Sequence, residues 1–177
     1  KEEEKRKALH DLKNKQCISK DGKIMQVFAN IADETGAEVA LENGADGIGL
    51  FRSEFLYMNR NAAPSEEEQF LLYREVLEKM QEKEVVVRVF DIGADKEVPY
   101  LLQEKEKNPA LGIRGIRLCL RERALFKAQI RALLRASLYG NLSILLPMIS
   151  SMEEVLETKK IIEQCKEELM LEGQAYS

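Results

Sequence analysis

Gly44-Ala45-Asp46-Gly47-Ile48-Gly49-Leu50-Phe51-Arg52-Ser53-Glu54 is the stretch that decides the fold. Gly44 reads as the stop of a helix, and Gly47 to Arg52 as a short apolar strand. The strand ends on an arginine, and a carboxylate follows within three residues. The pattern recurs at Val85-Val86-Val87-Arg88-Val89-Phe90-Asp91-Ile92-Gly93-Ala94-Asp95-Lys96. Val85 to Phe90 is a continuous, β-branched run of the kind expected for a strand covered on both faces. Arginine is rarely buried without a partner. Two strands that deliver guanidinium groups to one end point to a shared anionic target, and the planar fork suits phosphate and carboxylate.

Upstream of it, Met25, Val27, Ala29 and Ile31 alternate across a strand at Ile24–Ile31, and residues 33–43 read as a helix. Ser65 with Glu68 forms a capping box that opens a helix to about Gln81, with Phe70, Tyr73, Leu77 and Met80 on its apolar face. Residues 97–113 are irregular and long for a connection in a compact domain, a length often associated with function. A helix spans Ala124 to Tyr139, Ser143 to Ile149 is a fourth strand, and Ser151 with Glu154 caps a last helix. That helix carries Met152, Val155, Leu156, Ile162, Cys165 and Leu169 as a stripe.

Strands alternating with helices imply a parallel sheet with right-handed crossovers. An open doubly wound sheet and an eight-fold β/α barrel both fit. No Gly-x-Gly-x-x-Gly opens a helix after the first strand, and candidate site residues sit at the C-terminal ends of strands, which favours the barrel. A full barrel needs about 250 residues. The expectation is therefore α/β: four of eight β/α units over residues 21–177, preceded over residues 1–20 by a connector helix. Such a half-barrel leaves two sheet edges and one face uncovered. The expectation is either that two copies pair and complete a pseudo-barrel, or that residues 1–177 are only marginally stable.

The net charge of −4 argues against a general nucleic-acid binder. No apolar run reaches the roughly 18 residues that span a membrane, and the charged start lacks the apolar core of a secretory signal. Cys17, Cys119 and Cys165 are far apart with no C-x-x-C pair, so zinc and redox motifs are not expected, and a reduced cytoplasmic protein is. The chain starts on Lys1, not methionine, and is expected to be part of a longer polypeptide.

Arg52, Arg88, Arg114, Arg117 and Lys96 are candidates for a cationic rim, with Glu54 and Asp91 beside them. A structural alternative stands next to this. Arg52 could pair with Glu54 or Asp91, and Arg88 with Asp91. Arg117 suits the surface better than Arg114. Ser53 has no histidine near it in sequence and reads as a small polar residue at a strand end. His10, the only histidine, lies in the charged first segment with no glycine-rich loop or helix N-terminus to suggest chemistry.

These residues carry a family resemblance. The chain resembles the phosphoenolpyruvate-binding barrel of enzyme I, the phosphoenolpyruvate–protein phosphotransferase of the bacterial sugar phosphotransferase system. The likeness runs through residues 47–58, 64–70, 88–100 and 108–117, and overall from Asp21 to Gly173. Pyruvate phosphate dikinase and phosphoenolpyruvate synthase share the barrel and are the alternatives in the same chemistry; a non-catalytic anion-binding or structural module is the alternative of another class. The resemblance implies transfer of a phosphoryl group from phosphoenolpyruvate to a histidine on a swivelling domain of the same protein, then to a small carrier protein, with Mg2+ assisting. It places Arg52 and Arg88 on the phosphate, with Arg114 and Lys96 in the same pocket. It implies a cytoplasmic homodimer with no membrane or nucleic-acid partner. The family's metal ligands and catalytic cysteine would lie beyond Ser177, so no catalytic set is complete here and residues 1–177 alone are expected to be inactive. Ala94 and Val89 depart from the family's usual glycine and threonine.

Overall fold

Four parallel strands, β3 (Phe28–Ile31), β4 (Gly47–Arg52), β5 (Val85–Arg88) and β6 (Leu142–Leu145), lie side by side in chain order. This computed structural model describes residues 12–13, 15–93, 98–101 and 106–177. Two short strands, β1 (Cys17–Ile18) and β2 (Ile24–Met25), form an antiparallel hairpin ahead of the sheet. The helices are α1 (Glu34–Glu42), α2 (Glu66–Met80), α3 (Ile116–Arg121), α4 (Arg123–Ala136) and α5 (Met152–Leu171). The expected α/β architecture of a partial barrel is what the chain adopts. Each parallel crossover carries helix.

Burial alternates along β5, whereas β6 is half-exposed throughout. Ile48, Phe51, Val85 and Val87 are buried, whereas Leu50, Val86, Ser143 and Leu145 are half-exposed. The helices therefore cover one face of the sheet. This corrects the expectation that the valine run is covered on both faces: Val86 points away from the helices and its neighbours point into them, as a period of two requires. The core lies between that face and α1, α2, α4 and α5, with Tyr73, Val76, Leu77, Phe126, Ile130, Leu133 and Ile161 buried in it. Arg131 of α4 reaches Glu66 (2.6 Å), Glu168 (3.5 Å) and Glu172 (2.5 Å), and Arg135 reaches Glu66 (2.8 Å) and Glu67 (2.7 Å), which ties α2, α4 and α5 together.

Both capping boxes form as expected, at Ser65 with Glu68 and at Ser151 with Glu154. Several boundaries differ. The strand expected at Ile24–Ile31 is two strands. Asp46 captures Val27 between them, its carboxylate accepting from the Val27 N–H at 2.7 Å while its own N–H donates to the Val27 carbonyl at 2.8 Å. β6 stops at Leu145, well before Ile149. Pro147 has no N–H to give a ladder, and Met148 adopts a left-handed φ of 64°. The stripe on α5 also shifts: Thr158, Ile161, Cys165 and Leu169 are buried, while Met152 and Leu156 are exposed. The first turns of α5 run past the core. Of the expected connector, residues 1–11 and 14, including His10, lie outside the described residues, and Cys17–Ile18 is strand.

Candidate phosphate site at the strand ends

Arg52 and Arg88 are register partners on β4 and β5, each the last residue of its strand. The parallel ladder thus sets two guanidinium groups side by side at the C-terminal edge, on the face that the helices leave open. Beyond Arg52 the chain turns into a short 3-10 helix, Ser53–Leu56, which the sequence reading did not anticipate. The turn brings Glu54 back to Arg88, and the two form an ion pair. Asp91 meets Arg88 at 3.4 Å and holds Arg114 through both carboxylate oxygens, at 2.9 and 3.0 Å. A bidentate pair of this kind fixes a guanidinium plane as well as a charge.

The two arginines differ. Arg88 takes Asp91, the partner that the structural alternative assigned to it, and also Glu54, which that alternative had assigned to Arg52. Arg52 takes none among the described residues; its guanidinium lies over the Phe55 ring at 4.9 Å. Nε of Arg52 and Nε of Arg88 are both buried with no hydrogen-bond partner, as is Oε2 of Glu54. Buried donors without acceptors are uncommon and costly, and two neighbouring ones mark a place where an acceptor-rich group would fit.

Arg114 reaches this cluster from the segment after β5. Gly115 follows at φ +55°, and a Cβ there would sit 3.0 Å from the Pro147 carbonyl, which accepts from the Ile116 N–H at 3.0 Å. A glycine is what lets α3 start against the chain beyond β6. Arg117 is not part of the cluster. It donates to the carbonyls of Leu111 (2.9 Å) and Gly112 (3.1 Å) and stands 3.8 Å from Glu154. Lys96 lies outside the described residues.

Below the arginines is a buried polar layer that sequence reasoning missed. Gln129 of α4 is fully buried. Its Oε1 accepts from the Phe90 N–H at 3.0 Å, and its Nε2 donates to Ser53 Oγ and to the Tyr73 hydroxyl, each at 2.9 Å. Ser53 Oγ in turn donates to the Arg88 carbonyl at 2.5 Å. Ser53 is a strut, which agrees with its reading as a small polar residue at a strand end. Tyr57 and Tyr73 both donate to Gln69 Oε1, at 2.9 and 3.3 Å. Burial pushes both phenols above their ordinary range, so they remain neutral donors. The one sequence signal for Gln129 was a polar residue on the Phe126–Ile130–Leu133 stripe.

Glu54 and Asp91 are both engaged with guanidinium groups, and among the described residues no group of three His, Cys, Asp or Glu side chains could hold a metal ion. The described residues thus supply no such set for the Mg2+ that the resemblance implies, whose ligands it places beyond Ser177. Burial raises the Cys119 thiol, as does, more weakly, the Asp91 charge. Cys165 is buried core and Cys17 exposed.

A parallel β/α sheet with arginines converging at its C-terminal edge is a frame that suits an anion. Comparison with known families matches residues 6–177 to the phosphoenolpyruvate-binding domain of the phosphoenolpyruvate-utilising enzymes, and the chain belongs to that family. Among curated proteins it is 52% identical over 166 residues to the phosphoenolpyruvate-protein phosphotransferase of Bacillus subtilis (strain 168), covering 94% of this chain and 29% of that protein. It is 52% identical over 158 residues to the protein of that name from Geobacillus stearothermophilus (89% and 27%). The one from Staphylococcus epidermidis is 48% identical over 170 residues (96% and 30%). The chain thus spans under a third of the length of the relatives it matches.

Proposed function

We propose that this chain is the phosphate-holding half of the phosphoenolpyruvate site in a phosphotransferase of the sugar phosphotransferase system. Arg52 and Arg88 bind the phosphoryl oxygens, Arg114 and Lys96 line the same pocket, and Glu54 and Asp91 hold Arg88 and Arg114 in plane. The single observation that carries this is the pair of register-matched arginines with buried, unpartnered Nε atoms. Phosphoryl transfer asks little of a protein beyond positioning and charge neutralisation, and paired guanidinium groups supply both.

The whole protein then passes the phosphoryl group to a histidine on its own swivelling domain and on to a small carrier protein. It works as a cytoplasmic homodimer with Mg2+, whose ligands are not the residues described above. The relatives' names favour this over pyruvate phosphate dikinase, phosphoenolpyruvate synthase or a non-catalytic module. No described helix is long and apolar enough to cross a membrane.

The test is an amide and guanidinium NMR titration of residues 1–177 with phosphoenolpyruvate at low salt, with and without Mg2+. Shifts centred on Arg52 and Arg88, lost in Arg52→Ala, are expected. A well-dispersed spectrum with no shifts there would remove the assignment.

A further inference from the structure

We infer that Gln129 is a positioning residue for the phosphate site, a buried clamp that sets the separation of the two arginine-bearing loops. The inference rests on the proposed phosphate-binding role of Arg52 and Arg88. The β4–β5 ladder extends to the Arg52–Arg88 pair and no further. Past that point backbone pairing no longer fixes the chain. The two loops that leave the ladder are joined instead through one side chain. Gln129 accepts from the Phe90 N–H on the β5 side and donates to Ser53 on the β4 side. Ser53 closes the circuit by donating to the Arg88 carbonyl.

The residues flanking these contacts are the ones that bind. Ser53 follows Arg52 directly, and Phe90 lies between Arg88 and Asp91. A shift of either loop would move a guanidinium relative to its neighbour, and misplacement by a fraction of an ångström weakens a bidentate anion clamp. Gln129 is fully buried on a helix that is otherwise apolar on that face, so its amide cannot turn to water. Tyr73, held in turn by Gln69, takes the second Nε2 bond and fixes the amide's orientation. An amide serves where a carboxylate or ammonium group would not, because one group must both accept and donate without charge. The clamp links α4 to both loops, so the outer helix layer sets the geometry of a site that it does not touch.

The experiment compares residues 1–177 with Gln129→Met, which keeps the volume and loses all three hydrogen bonds, and with Val76→Ala. Val76 is a fully buried core residue of α2, and its truncation matches the loss of stability. Phosphoenolpyruvate affinity is read by NMR titration, together with the Nε–H signals of Arg52 and Arg88. The expected result is affinity weakened about tenfold in Gln129→Met, with both arginine signals displaced before ligand is added, and affinity within about twofold of wild type in Val76→Ala. Should Gln129→Met fail to fold, Ser53→Ala removes the bridge to the Arg88 carbonyl and is expected to weaken binding about threefold. Wild-type affinity in the folded clamp variant, or equal weakening in Val76→Ala, overturns the inference. Absence of binding by the wild-type chain overturns the phosphate-site reading itself, and with it the clamp's purpose.

Discussion

Arg52 and Arg88 sit next to each other but should respond oppositely to removal. The Arg88 side chain is 20% exposed, and its partners Glu54 and Asp91 are 11% and 6% exposed. Asp91 keeps Arg114 when Arg88 is lost, but among the described residues Glu54 keeps no ion-pair partner and is left as a nearly buried, uncompensated carboxylate. Stranding such a charge costs about 2–3 kcal/mol once its remaining exposure is allowed for. In a domain of this size that lowers Tm by about 5–10 °C. Among the described residues, Arg52 loses only its stacking on Phe55, worth about 0.5–1 kcal/mol. Arg88→Met should therefore melt clearly below wild type, and Arg52→Ala close to it, while both lose phosphoenolpyruvate binding. The double variant Arg88→Met/Glu54→Gln should recover much of the loss, because the stranded charge goes too. Calorimetry at neutral pH with a urea series reads all four proteins. Equal destabilisation by the two single variants, or no recovery in the double variant, would refute the division of labour drawn between a braced arginine and a free one.

Glu68 is held down to about 2, chiefly by the Ser65 N–H, then by Arg60 and the Ser65 hydroxyl. Its folded value lies below the unfolded 4.5, so the stabilisation is complete above about 4.5 and disappears as pH falls toward about 2. Urea midpoints across that window should fall less steeply for Glu68→Gln than for wild type; parallel curves would contradict the capping-box account. Ser65→Ala should cost about 1 kcal/mol, and no change in the urea midpoint would count against that cap. Gly47→Ala would place a Cβ 2.4 Å from the Phe28 ring and 2.7 Å from the Glu84 carbonyl, and is expected to destabilise by about 1–3 kcal/mol. A variant as stable as wild type would show that β3 and β5 can spread around it. Burial raises Cys165 to about 11 and also raises Cys119, while Cys17 is exposed. A thiol reagent at pH 7.5 should label Cys17 rapidly and the other two only on unfolding; three fast thiols would mean a loosely packed core.

The arginine pair was readable because a period-two strand ending in a charge fixes both where the charge sits and which edge it serves. The helices were readable for a similar reason: Ser65 and Ser151 announce their own caps within four residues. What could not be read depends on distant partners. Asp46 splitting a strand at Val27, Gln129 reaching Phe90, and Glu54 turning back to Arg88 join residues 19, 39 and 34 positions apart. Composition and spacing carry no sign of such pairs. The stripe of α5 held at Ile162, Cys165 and Leu169 but failed at its start, because Met152 and Leu156 are as apolar as the residues that are buried, and only the position of α4 decides which side of the helix is inside. Arg52 and Arg88 look equivalent in sequence, and the carboxylates near both gave no means of telling which arginine would be neutralised.

The open face of the sheet has an electrostatic consequence. An anion 4 Å from Arg52 on a wetted surface gains about 1 kcal/mol, but about 4 kcal/mol once the surroundings fall to an effective dielectric constant near 20. The same two arginines can therefore be a weak or a strong site with no change in their own positions, according to what shuts water out. Linkage makes the relation mutual. If the proposed site holds phosphate, whatever seals this face tightens the grip on it, and a bound phosphate holds the seal in place by the same free energy.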